Sequence, residues 1–199
     1  MLPTREEAER ILKEAEGCNP GPWGNHSRVV AACAERIAAC VEGMNPQKAY
    51  IVGLLHDIGR KFGTRHLGHV YDGYRYMMDS GYDEAAKICL THSFSIQDFN
   101  VYIGNRDLSD AEQKEIEDAL SRTVYDDYDL LIQLCDSLSG TYGAVEMEVR
   151  MGDVKRRYGR YPQEKWDRNL SLKKIFDEKT GRDIYTLLPE DTPEQCVWS

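Results

Sequence analysis

Apolar positions along this chain recur at spacings of three and four, the repeat of a helix with one buried face, and almost never alternate at two as a half-buried strand would. Ala8, Ile11, Leu12 and Ala15 make one such face behind Thr4, which forms an S/T-x-x-E capping box with Glu7; Gly17 is the expected stop. The glycine- and proline-rich stretch from Cys18 to Gly24 reads as a loop, followed by a second helix from about Asn25 toward Gly43. Asn45 before Pro46 marks a third start, since Asn accepts from exposed amides and Pro suits the first helical position. This helix carries Tyr50 to Ile58 and is expected to stop at Gly59. Two more are expected over about Gly68 to Asp79 and Asp83 to His92.

From Ser93 to Leu108 no period is visible, and Phe94, Phe99 and Tyr102 among polar residues suggest a long, partly packed loop of the kind that often carries function. Ser109 with Glu112 repeats the capping box and opens an acidic sixth helix. Tyr128 to Ser139 is apolar on nearly all sides, so it reads as a central buried helix, with Asp136 inside it and Asp126, Asp127 and Asp129 capping its start. An eighth helix, about Gly143 to Tyr158, ends in Lys155, Arg156 and Arg157, where cations suit the helix dipole. A short helix around Trp166 to Phe176, a turn at Gly181 and a tail from Pro189 to Ser199 follow. The fold class expected is all-α: a single-domain helical bundle with a short C-terminal appendage.

With 199 residues the chain is long enough for one substantial core without disulfides. Its 34 acidic against 25 basic residues, a formal charge of −9, disfavour nucleic acid as a partner. No apolar run reaches membrane-spanning length, and the charged amphipathic N-terminus is unlike a secretory signal, so a cytoplasmic protein with no membrane partner is expected. The six cysteines, at 18, 33, 40, 89, 135 and 196, form no C-x-x-C pair, and most sit in apolar helical stretches; reduced, structural thiols are expected.

The chemistry is carried by the histidines, of which there are five. His26 shares a face with Val29, Val30 and Cys33, and His92 with Ala85, Ile88 and Cys89; His56 ends the apolar run from Ile51 to Leu55 and is followed at once by Asp57. One histidine on an apolar face is ordinarily a satisfied core residue. The set of His26, His56, Asp57 and Asp136 is different, because it offers two nitrogens and two carboxylates, a donor set for a divalent cation such as Mn, Fe, Zn or Mg. Adjacent His and Asp on a helix point about 100° apart, so both reach one ion only near the helix end. Arg60 and Lys61 follow directly and are candidates for holding phosphate oxygens.

Taken together, His26, His56-Asp57-Ile58-Gly59 and Asp136 resemble the H…HD…D pattern of the HD-domain superfamily of metal-dependent phosphohydrolases, over about residues 23 to 140. The resemblance implies that His26, His56, Asp57 and Asp136 bind one metal ion. It further implies that His69 and His92 are ligands of a second, with Asp57 as the bridge. Cyclic-dinucleotide phosphodiesterases of the superfamily carry adjacent histidines and a GYP segment, whereas this chain has Thr91-His92-Ser93 and no such segment. That leaves the dinucleoside tetraphosphate hydrolase-like members closer in pattern.

The function implied is hydrolysis of a small phosphorylated metabolite, a nucleotide above all, by water activated at one or two divalent ions (Mn, Fe, Mg, Zn, Co or Ni). Asp57 would orient the water, Arg60 and Lys61 would hold phosphate, and Phe94, Phe99 and Tyr102 would offer stacking faces to a base. The alternatives are a di-iron oxygenase on the same fold and a sensing module without turnover. The expected organisation is a metal-binding helical domain over 1–158 and an extension over 159–199 packed on it.

Overall fold

The computed structural model describes residues 1–189, and among them the chain is all-α. The helices are α1 (Arg5–Cys18), α2 (Trp23–Ala38), α3 (Pro46–Leu55), α4 (Gly68–Asp79), α5 (Asp83–Thr91), α6 (Asp110–Arg122), α7 (Asp127–Leu138), α8 (Met147–Tyr158) and α9 (Gln163–Thr180). No strand forms among the described residues; Ser139 and Ala144 make one isolated bridge. No described helix is long and apolar enough to cross a membrane.

The starts written in the sequence form as expected, because each solves the same local problem of unpaired amides at a helix N-terminus. Thr4 and Ser109 each close a capping box, with Glu7 and Glu112, and the Asn45 side chain accepts from the amides of Gln47 and Lys48. Asp126 caps α7 in the same way, with Asp129 reaching back to its amide.

Other boundaries differ from the expectation. Helix α2 starts at Trp23, two residues early, where the indole Nε1 donates to the Asn19 carbonyl. It ends at Ala38, well short of Gly43. Helix α3 ends at Leu55, and a 3₁₀ turn over Ile58–Phe62 carries the chain past Gly59. Gly59 is therefore not a stop signal. A Cβ there would fall 1.9 Å from the His69 carbonyl oxygen and 2.5 Å from the Gly73 nitrogen, so glycine is what lets the turn lie against α4. Helix α8 begins only at Met147. The short helix expected around Trp166 to Phe176 is an 18-residue helix, α9, closed at Gly181 in the left-handed region.

Two antiparallel helix pairs form the heart of the bundle. In the first, α2 and α3 approach so closely that a Cβ on Gly53 would sit 3.0 Å from the Ala31 Cα. In the second, α4 lies against α5, with Gly73 facing the Cys89 Cβ. Helix α7 packs between them, and α9 lies on α7: Leu131, Leu134 and Leu138 share one core with Val30, Ile37 and Phe176. Helix α1 covers the far side through Leu12, against Leu54, Leu55 and Met77.

The stretch from Ser93 to Leu108 also departs from the expectation. Phe94 is fully buried, and Phe99 and Tyr102 are nearly so; they pack with Leu67, Leu90, Ile116 and Leu120 as a third core. Phe94 and Phe99 are structural, stacked on each other at 5.9 Å between ring centres, and give no face to a ligand. Burying side chains of that size contributes roughly 1.5–3 kcal/mol each, which is why an apparently aperiodic segment is held in place. Cys18, Cys33, Cys40, Cys89 and Cys135 are free thiols; Cys196 and most of the tail from Pro189 lie outside the described residues.

Candidate metal centre

Each antiparallel helix pair has an open end, and each open end presents two histidines. His26 lies in the first turn of α2 and His56 directly after α3, so the hairpin brings residues thirty positions apart to 5.3 Å between ring centres. His69 is the second residue of α4 and His92 caps the end of α5; their Nε2 atoms are 3.2 Å apart. The His56 and His92 rings are 5.1 Å apart, so the two ends abut.

Asp57 sits between them. Its backbone (φ −102°, ψ 14°) has left the α-helical path for the sparsely populated bridge region, which turns the carboxylate away from the direction a continuing helix would give it. One oxygen, Oδ1, faces His69 Nε2 at 3.1 Å and His92 Nε2 at 3.6 Å; the other, Oδ2, lies 3.9 Å from His56 Nε2 and accepts from Arg60 Nε at 2.5 Å. Asp136, near the end of α7, accepts from or pairs with His26 Nε2 at 3.0 Å. The sequence suggested a buried Asp136; its side chain is 29% exposed because it faces a cavity.

Backbone carbonyls fix the orientation of three of these rings. Nδ1 of His56 donates to Gly53 O at 2.7 Å, Nδ1 of His92 to Cys89 O at 2.9 Å, and Nδ1 of His69 to His66 O. A neutral imidazole holding its proton on Nδ1 has a bare lone pair on Nε2. Three Nε2 atoms converge on Asp57, each a lone pair in this tautomer; two of them face each other, while the third, on His56, is buried with no hydrogen-bond partner. Burial holds His56 and His92 in this neutral form: it lowers both, His92 to about 3, with the neighbouring histidines adding to the effect at His92. For Asp57, burial works to raise the carboxyl, but the Arg60 guanidinium beside it holds it well below its ordinary value.

Buried lone pairs that face one another without a proton between them are what cations resolve. The sets His26, His56, Asp57 and Asp57, His69, His92 each offer ligand atoms lying within 4.8 Å of one another, and they share Asp57. Nitrogen and carboxylate donors in this mixture fit a divalent transition metal such as Mn, Fe, Co, Ni or Zn better than Mg, which prefers oxygen. Carbonyl bonds to the remote ring nitrogens are the usual means by which metal-ligating histidines are aimed.

The centre opens into a cavity of about 600 Å³. Arg60 lines it, with its guanidinium on Asp57 and its carbonyl held by Asn19 Nδ2 at 2.6 Å. Lys61 does not line it; its ammonium lies over the Tyr76 ring at 3.9 Å. His66 is half-buried, with its ring edge-to-face with Tyr158.

Sequence reasoning missed the far wall. Gln133, one turn before Asp136 on α7, lines the cavity together with Lys165 and Asn169 of α9. Gln133 had a signal, being a polar residue inside an apolar run. Lys165 and Asn169 had none, as they look like any solvated helix face. Ser93 and Ser95, directly after His92, complete this side.

Comparison with protein families matches the one described as HD domain over residues 23–141. Comparisons with curated proteins and with solved structures find no match.

Proposed function

Because this chain belongs to the HD-domain family, we propose that it hydrolyses a phosphoester or phosphoanhydride in a small phosphorylated metabolite or nucleotide, with His26, His56, Asp57, His69, His92 and Asp136 holding one or two divalent ions. The observation that carries the reading is the convergence on Asp57 of three Nε2 lone pairs, each aimed by a carbonyl at its own Nδ1. An ion held there would supply Lewis acidity, for polarising a phosphoryl oxygen and for bringing the pKa of a water down toward roughly 7.

The protein's own groups do the rest. Asp57 stays ionised under the charge of Arg60, so at neutral pH it is available as an anionic ligand and as the acceptor that would orient a water. Arg60 neutralises that carboxylate and faces the cavity, where it is placed to grip a phosphoryl oxygen in addition. The packed residues of α3 and α5 behind the histidines exclude bulk water from that side.

The division of the Asp57 oxygens, Oδ1 toward His69 and His92 and Oδ2 toward His56, supports a carboxylate shared by two ions, as the tetraphosphate hydrolase-like pattern implies. A di-iron oxygenase would use the same donors, but a cavity lined by Arg60 and Lys165 suits an anion better than a neutral alcohol.

The test is metal analysis of the purified protein, then a screen of phosphorylated substrates with Mn, Fe, Co, Ni and Mg, repeated on His56→Ala and Asp57→Ala. Wild type should bind metal and release phosphate, and both variants should lose both properties. Full metal content and turnover in the two variants would refute the assignment.

A further inference from the structure

Beyond the paired histidines, the cavity contains a second group of polar side chains that the metal centre does not use. Lys165 of α9 projects to its wall, and its one hydrogen bond is to the Ser93 carbonyl at 2.8 Å. Most cations with a partner in this acidic protein sit on a carboxylate; Lys165 has no carboxylate within ion-pair distance among the described residues. Its neighbourhood is dry enough that burial brings the ammonium down to about 8, with Asp136 opposing.

Two buried acceptors stand beside it. Gln133 is 2% exposed; its Nε2 donates to the carbonyls of Thr91 at 3.1 Å and Phe94 at 3.3 Å, which settles which end of the amide is oxygen, and its Oε1 is left without a partner. Asn169 is 3% exposed; its Nδ2 donates to Tyr161 Oη at 2.8 Å, and its Oδ1 is likewise unpartnered. Buried Ser95 Oγ is a third such atom on the same cavity. Unpaired buried acceptors are rare enough in folded proteins that each needs an explanation, and here the three residues that carry them line one cavity. An acceptor is satisfied by an O–H or N–H donor, and an ammonium that has a carbonyl but no counter-ion by an anion.

We propose that α9, together with Gln133 of α7, builds the substrate-recognition wall of this site: Lys165 binds a phosphate oxygen, while Gln133 and Asn169 accept hydrogen bonds from hydroxyl groups next to that phosphate. The substrate class is then a phosphorylated sugar, either free or as the sugar-phosphate part of a nucleotide. The inference rests on the hydrolase reading above, and it deepens that reading by assigning part of the recognition to Lys165 and Asn169, outside the 23–141 segment that matches the family. Lys165 and Arg168 also bond the carbonyls of Ser93 and Ser95, at 2.8 and 3.2 Å, so the same helix fixes the segment that follows His92.

The test uses the full chain loaded with Mn. Inorganic phosphate is titrated calorimetrically into wild type, Lys165→Met and Lys165→Arg, with metal content measured in each. Then kcat/KM is compared for ribose 5-phosphate and phenyl phosphate in wild type, Asn169→Leu and Asn169→Asp; the last keeps an acceptor at the same place. Lys165→Met should weaken phosphate at least tenfold with metal content unchanged, and Lys165→Arg should restore most of the affinity. Asn169→Leu should lower kcat/KM for ribose 5-phosphate at least tenfold and leave phenyl phosphate within twofold, with Asn169→Asp closer to wild type on the sugar phosphate. Equal phosphate affinity in wild type and Lys165→Met, or an equal fall for both substrates in Asn169→Leu, overturns the proposal while leaving the hydrolase reading intact. A metal-loaded wild type that binds no phosphate and cleaves neither ester overturns both.

Discussion

His69 and His92, 23 positions apart in sequence, face each other across 3.2 Å through their Nε2 atoms, which carry only lone pairs when each neutral ring keeps its proton on the Nδ1 that faces a carbonyl. Two lone pairs at that distance repel unless a positive charge lies between or beside them, and Asp57 Oδ1, 3.1 Å from one and 3.6 Å from the other, completes a three-donor set. The pair follows directly from antiparallel packing of α4 on α5, made close by Gly73 against Cys89.

Titration of the apoprotein with Mn or Fe should therefore saturate at two ions per chain in wild type and at one in His92→Ala. The first ion stays because His26, His56, Asp57 and Asp136 remain. A wild-type stoichiometry of one, unchanged in the variant, would remove the shared-carboxylate arrangement.

Metal-free protein should lose stability in mild acid. An unfolded histidine takes up a proton near 6.5, whereas folded His92 resists until about 3 and folded His56 is shifted in the same direction. Below 6.5 the unfolded chain thus binds more protons than the folded one, and stability falls as pH drops through that window. At pH 5 His92 alone accounts for about 2 kcal/mol. Urea unfolding of chelator-treated protein between pH 7.5 and 4.5 measures it, with His92→Gln as the comparison; a flat profile in wild type would contradict the buried neutral ring.

Glycine substitutions should separate packing from propensity. Gly59→Ala forces a methyl group to within 1.9 Å of the His69 carbonyl, so backbone must move. It should cost more than about 2 kcal/mol and should weaken binding of the ion that His69 serves. Gly152→Ala, inside α8 with nothing within 4 Å of the new carbon, should instead stabilise by ~0.5–1 kcal/mol. Thermal melts and metal titrations of the two variants, run side by side, check both signs.

Phe94→Ala should act on stability and not on substrate recognition, because the ring is fully enclosed by Phe99, Tyr102 and their neighbours. The expected loss is about 3–5 kcal/mol. A variant that melts like wild type but has a raised KM for a nucleotide would show that the ring meets the ligand after all.

Much of the fold could be read along the chain because its determinants are local. Thr4, Asn45 and Ser109 cap helices through amides two or three residues away, and spacings of three and four place whole apolar faces. The histidines and aspartates of the centre were legible for a related reason, since polar residues among apolar neighbours stand out by the cost of burying them.

What the tertiary structure alone decided is which of these residues meet, and what faces them. Gly59 looked like a stop and proved to be a crossing point, a property of His69 and Gly73 on another helix. Phe94 and Phe99 looked like ligand-stacking faces and became a core, because α6 and α4 supply partners that no local pattern announces. Lys165 and Asn169 carried no signal, since α9 buries only Asn169, Leu172 and Phe176 and otherwise reads as solvated helix. Their place beside the histidines comes from α9 lying on α7, a contact between distant segments. Residue type and short-range spacing state what a side chain can do; only the packing of helices states to what.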